Sequence, residues 1–212
     1  AAVLDQNKSI ILCSDISHQS DREAGSVEAL TGSRALKPLD IFTPEEMSGR
    51  TFIDIDQLEM ALQRREEKYL NQRPWVISLS VPAEDGSIPS IEYMTKVAAF
   101  AKRNGILFHV DGARLFVAAA ALGKSLKEIT VDIGVDMFSL GGSKVGLIGV
   151  DAVVFTPHFY RQYPLLHHYK NSTEAYDHFR AVLKRIGALS GRSEEYSAQF
   201  AYALTDDYGI SV

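Results

Sequence analysis

Short apolar runs alternate with longer amphipathic stretches through most of this sequence. The runs are Ser9–Cys13 (SIILC), Trp75–Leu79 (WVISL), Ile106–Val110 (ILFHV), Asp136–Leu140 (DMFSL) and Ala152–Phe155 (AVVF). Each is too short for a stable helix and reads as a buried strand. Arg34–Leu39 reads as a further strand, and a helix is expected to start near Asp21. Between the runs the spacing turns helical. Within Asp54–Leu70, Ile55, Leu58 and Leu62 recur at steps of three and four, with charges outside. Ile91, Met94, Val97, Ala98 and Ala101 make one apolar face, with Ser90 placed to cap it and Asn104-Gly105 to stop it. Ala113–Leu122 is alanine-rich and reads as a helix ending at Gly123, and Ser125–Thr130 as a short one. Strand–helix–strand alternation implies an α/β fold whose mainly parallel sheet is covered on both faces.

After Thr156-Pro157 the pattern changes. Ser172–Thr205 is long, mostly helical and polar on one side. Residues 1–157 are therefore expected to form a large-domain portion, and 158–212 a helical linker and part of a small domain.

Composition narrows the function. The 212 residues are 46% hydrophobic, enough for a sizeable core, and the net charge of −5 with no Lys/Arg run argues against a nucleic-acid partner. Cys13 is the only cysteine, so no disulfide can form within the chain, and a single thiol argues against a Cys-based zinc site. A reduced, cytoplasmic setting is expected. No window approaches the roughly 18 apolar residues of a membrane helix, and the N-terminus lacks the pattern of a signal peptide.

In open parallel sheets, ligands bind beyond the carboxyl ends of the strands. Three polar clusters fall at such places: His18 after the first strand, Asp111 and Arg114 after ILFHV, and Ser143-Lys144 after DMFSL. Each has an ordinary explanation. Asp111 before Gly112 suits a turn or a helix cap, Lys144 a surface loop, Arg114 a solvated helix, and His18 a polar loop. Order and spacing set the group apart. GGSKVG is no nucleotide-binding loop, because serine precedes the lysine and an apolar strand follows it.

The segment FHVDGARLFVAAAALGKSLKEIT, Phe108–Thr130, resembles the signature of threonine aldolases and the related β-eliminating lyases. VDMFSLGGSKVGLIGVDAVVF, Val135–Phe155, is similar to the lysine segment of one branch of that family. SHQSDREAG, AEDGSIPSIEYM and LKRIGALSGR resemble further family segments in a consistent order. The resemblance implies the fold of pyridoxal-phosphate (PLP) enzymes, a transferase-like large domain of the aspartate-aminotransferase type with the start of a small C-terminal domain.

It also implies roles. Lys144 would carry PLP as a Schiff base, which a primary amine can form and exchange. Asp111 would keep the pyridine nitrogen protonated, and that positive charge would in turn keep the aspartate ionised. Arg114 would sit near the phenolic oxygen. His18 would stack on the ring and take the β-hydroxyl proton of the substrate. Lys144, His18 and Asp111 are thus the expected catalytic residues, no metal is expected, and the substrate is a small amino acid. Ser143, Lys184 and Arg192 are candidates for the cofactor phosphate.

The sequence departs from the family at Val145, where asparagine commonly follows the lysine. The family's phosphate-binding turn and its carboxylate-binding arginine are not found, so a fragment or reduced relative is expected. Three functions stay open. One is an aldolase splitting a threonine- or phenylserine-like substrate into glycine and an aldehyde. The second is a PLP-dependent β-eliminating lyase or racemase. The third is an inactive module that oligomerises. The resemblance implies a homo-oligomer, dimer or tetramer.

Overall fold

The computed structural model describes residues 9–14, 16–31, 34–36, 52, 54–56, 58–59, 73–162, 172–189 and 191–205. Six strands form one sheet. They are β1 (Ser9–Leu12), β2 (Arg34–Leu36), β3 (Arg73–Ser80), β4 (Leu107–Asp111), β5 (Met137–Gly141) and β6 (Asp151–Phe155). Their order is β2-β1-β3-β4-β5-β6. The first four neighbouring pairs are parallel, and β6 returns antiparallel to β5. The chain moves outward from β1 to β2, then crosses back to place β3 on the other side of β1. That reversal is the topological switch point at which such sheets open a crevice.

The helices are α1 (His18–Asp21), α2 (Ser26–Thr31), α3 (Ile91–Asn104), α4 (Leu115–Leu122), α5 (Pro157–Gln162), α6 (Ser172–Arg185) and α7 (Ser193–Ala203). The Ser90 hydroxyl accepts the Tyr93 amide at 3.1 Å and starts α3; Gly105, at φ 63°, ends it in the left-handed conformation. The expected helix at Asp21 is instead a pair, α1 ending there and α2 following Gly25 at φ 71°. Ser125–Thr130 forms successive turns rather than a helix. There Ser125 and Glu128 exchange the bonds of a capping box and the Ile129 amide makes one helical bond to the Ser125 carbonyl, but the Thr130 and Asp132 amides both reach back to the Lys127 carbonyl, three and five residues away, so the helical start is not propagated. Of Asp54–Leu70, residues Ile55, Asp56, Leu58 and Glu59 are helical and most of the rest lies outside the described residues. Residues 37–39 of the second expected strand also lie outside them.

The two faces of the sheet differ. On one, Leu12, Ile77, Leu79, Phe108, Val110, Phe138 and Leu140 are all buried, packed with Met94, Val97 and Phe100 of α3 and Leu115 and Phe116 of α4. On the other, Ile11, Val76 and Leu107 pack with Phe159 of α5. Phe159 is 2% exposed, and Phe200 and Ala203 of α7 join the main core, so side chains beyond residue 157 pack into the sheet's own cores. The second face stays apolar only over the amino halves of β3, β4 and β5. Toward their carboxyl ends it carries Ser78 and Ser80, His109 and Asp111, and Ser139. Strand periodicity puts every second residue on one face, so this polar patch is written into three short segments.

Candidate active site

The polar patch opens into a cleft of about 250 Å³ at the carboxyl ends of the strands. His18, Ser80, Glu84, Asp111, Arg114, Ser139, Lys144 and Asp151 are among the residues that line it. Each reaches it by a separate element. His18 opens α1 after β1, Ser80 and Asp111 end β3 and β4, Arg114 caps α4, and Lys144 sits in a single turn, Ser143–Val145, after β5. His18, Asp111, Arg114 and Lys144, four of the residues singled out from the sequence, thus share one cleft, although they lie as far apart as 18 and 144 in the chain.

Close backbone approach explains the glycines between them. A Cβ on Gly112 would collide with the Ser139 carbonyl, and one on Gly141 with the Ala113 backbone. The Gly141 amide donates to the Gly112 carbonyl at 3.1 Å. The loop after Asp111 and the loop before Lys144 are therefore pressed together where no side chain fits. That contact fixes the two functional loops relative to one another.

Asp111 is held from both sides. Its Oδ1 accepts from the Ala113 amide at 3.2 Å and from the Ser139 hydroxyl at 3.4 Å, and Ser139 in turn accepts from the Gly112 amide at 3.0 Å. Below it on the same face, His109 Nδ1 meets the Ser78 hydroxyl at 2.8 Å. Burial pushes the His109 imidazole down to about 4, against the pull of the Asp111 carboxylate. Burial thus disfavours the charged form of the ring that lies two residues before Asp111 on the same strand face.

Lys144 is exposed. The turn that carries it is anchored by Asp151, whose Oδ1 accepts from the Gly142 amide at 3.0 Å and lies 3.4 Å from the Ser143 amide. Arg114 is also exposed. His18 Nδ1 lies 3.6 Å from a Glu23 oxygen. Ser143, Lys184 and Arg192 do not line this cleft; Lys184 and Arg192 are exposed on the helical segments, Arg192 lying 4.0 Å from Glu195.

Sequence reasoning missed Glu84, Ser80, Ser139 and Asp151. Glu84 Oε1 accepts the His18 amide at 2.8 Å and the Ser80 hydroxyl at 3.0 Å. The available signal was position: Ser80 ends β3 and Glu84 lies in the turn after it, beside the switch point. Among the described residues no group of His, Cys, Asp and Glu is arranged to hold a metal ion, and no helix is long and apolar enough to cross a membrane.

A mainly parallel sheet with an amine, a carboxylate, an imidazole and a guanidinium converging on one carboxyl-end cleft has the large-domain architecture of PLP-dependent, aminotransferase-type enzymes. The solved structure of Leishmania major threonine aldolase shares this fold. It superposes with a TM-score of 0.71 at 21% identity, over 94% of this chain and 51% of that one. The family model for beta-eliminating lyases matches residues 1–177, and the chain belongs to that family. A low specificity L-threonine aldolase of Pseudomonas aeruginosa is 29% identical over 206 residues, 97% of this chain and 53% of that protein. A probable low-specificity L-threonine aldolase of Arabidopsis thaliana is 30% identical over 127 residues, 59% of this chain and 34% of that protein. The chain spans about half the length of the curated relatives it matches.

Proposed function

We propose that this chain supplies the cofactor-carrying part of a PLP-dependent lyase that splits a threonine-like β-hydroxy-α-amino acid into glycine and an aldehyde. The observation that carries this reading is the shared cleft of Lys144 and Asp111, with His18 and Arg114 on its walls. The donor set fits the cofactor. An exposed amine meets its aldehyde, a carboxylate meets its ring nitrogen, and a guanidinium and an imidazole suit its anionic and aromatic parts.

When bound, PLP supplies an electron sink for the bonds at the substrate Cα. The protein's own residues do the rest. Lys144 would hold the group through its ε-amine, a bond that the amine of an incoming amino acid can replace. Asp111, kept in place by Ser139 and the Ala113 amide, holds a proton on the ring nitrogen. Arg114, exposed on the cleft wall, would offer its guanidinium to an anionic oxygen of the cofactor. His18 removes the β-hydroxyl proton, directly or through water, as the Cα–Cβ bond breaks. A homo-oligomer with shared sites belongs to the same reading.

The test is spectroscopic. Protein mixed with PLP should show a visible absorption band that borohydride abolishes, with the reduced adduct mapping to Lys144. Aldehyde should then appear on addition of threonine. An adduct at another lysine, or no band, would reject the cofactor site. A band without aldehyde release from any β-hydroxy amino acid would reject the aldolase reaction alone.

A further inference from the structure

We infer that Glu84 is a positioning residue for His18. The inference rests on the reading of His18 as the base of the proposed reaction, and its geometry is specific. Glu84 lies in the turn after β3, and His18 opens α1 after β1, the two strands that flank the switch point. One carboxylate oxygen, Oε1, accepts the His18 backbone amide at 2.8 Å and the Ser80 hydroxyl at 3.0 Å. The carboxylate therefore ties the first residue of α1 to the end of a core strand, across 66 positions of sequence.

Three observations favour a role beyond simple capping. First, α1 is only four residues long, and its own N-cap residue, Ser17, makes no side-chain cap bond. The helix cannot hold His18 in place by its own cooperativity. Second, Glu84 itself lines the cleft, so the tether acts at the wall that the imidazole must address. Third, the other carboxylate oxygen, Oε2, is buried and meets no hydrogen-bond donor among the described residues. An idle buried carboxylate oxygen costs stability, a cost that serine, a common amide-capping side chain, would not carry. Glu84 thus meets the backbone of His18, while a Glu23 oxygen lies 3.6 Å from its ring Nδ1.

The experiment compares Glu84→Ala and Glu84→Gln in the full protein. The alanine removes the acceptor; the glutamine keeps an oxygen that can receive the His18 amide. Residue-resolved amide hydrogen exchange is read first and needs neither cofactor nor turnover. The His18 amide should exchange at least roughly tenfold faster in the alanine variant, in line with loss of a charge-assisted bond, and the glutamine should restore most of the protection. The second reading is kinetic. Aldehyde release should lose roughly tenfold in kcat in Glu84→Ala, with KM and the visible band at Lys144 nearly unchanged, and Glu84→Gln should recover it. Unchanged exchange at His18 in the alanine variant overturns the inference. So does a glutamine variant as impaired as the alanine, or a KM change with constant kcat. Should the wild-type protein release no aldehyde, the aldolase reading fails, and the exchange data still decide whether Glu84 holds His18.

Discussion

Ser80 and Asp111 are register partners across β3 and β4, the last residues of their strands. Two steps back, Ser78 pairs with His109; two steps further back, Val76 pairs with Leu107. A single face thus runs from apolar to polar along both strands, while Leu79 and Val110 on the opposite face stay buried in the main core. The cleft is in this sense the end of a pattern. The same alternation that buries one face hands the other to the ligand as soon as serine, histidine and aspartate replace valine and leucine.

Among the described residues lining the cleft, Lys144 carries the amine, the other basic groups being Arg114 and His18. Lys144→Ala is expected to abolish both the visible band with PLP and aldehyde release. Lys144→Arg should behave alike, because a guanidinium stays protonated and cannot form the Schiff base. Absorbance before and after borohydride checks this, and an unchanged spectrum in either variant would reject the assignment.

Asp111 and His18 are expected to differ in weight. His18→Ala removes one proton acceptor, a loss on the order of a hundredfold in kcat. On the proposed reading, Asp111→Asn would remove the charge that keeps the ring nitrogen protonated and should cost several orders of magnitude more. Steady-state aldehyde release measures both, with the absorbance band confirming that cofactor remains bound. Equal and mild effects would refute the pyridinium partnership.

Much of this was legible in the sequence, for local reasons. Runs such as ILFHV and DMFSL announce strands, and the glycines of DGA and GGS mark places where backbones meet. The Lys144–Asp111 pairing came from a family resemblance over two segments. The rest depends on register. Ser78, Ser80 and Ser139 are unremarkable serines until β3, β4 and β5 are aligned, which puts them beside His109 and Asp111. Glu84 and Asp151 look like surface carboxylates in one dimension. Their partners are His18, 66 positions away, and the Gly142 amide, across the β5–β6 hairpin. At Ser125–Thr130 both the spacing and the Ser125–Glu128 capping box favour a helix, and the structure stops at turns because the next backbone bonds, from Thr130 and Asp132 to Lys127, reach back three and five residues.

Gly112 faces a rigid neighbour. A methyl group there would strike the Ser139 carbonyl, part of a core strand that cannot yield. Gly112→Ala should therefore destabilise the fold by about 1–3 kcal/mol, the usual cost of overpacking, and weaken PLP binding by moving the Asp111 loop from the Lys144 loop. Gly191→Ala serves as control, since its added methyl would meet open space. Thermal unfolding and PLP titration of the two variants should separate them, and similar melting temperatures would refute the close-approach argument.

Two buried groups pull the pH dependence of stability in opposite directions. His109 is lowered by burial from 6.5 to about 4. Between those values the unfolded chain binds a proton that the native state refuses, so this contribution to stability is lost as pH falls through the window. Asp136 is raised by burial from 3.8 to about 6, even though its Oδ2 accepts the Phe108 amide at 2.8 Å. Here the native state keeps a proton that the unfolded chain releases, so stability is lost as pH rises from about 4 to about 6. The wild-type profile should be shallow there because the slopes oppose. His109→Asn should expose the Asp136 slope, with stability falling as pH rises. Asp136→Asn should expose the His109 slope, with stability rising. Denaturant unfolding at half-unit pH intervals would show the two variants tilting in opposite senses, and slopes of the same sign would refute the assignment of both groups.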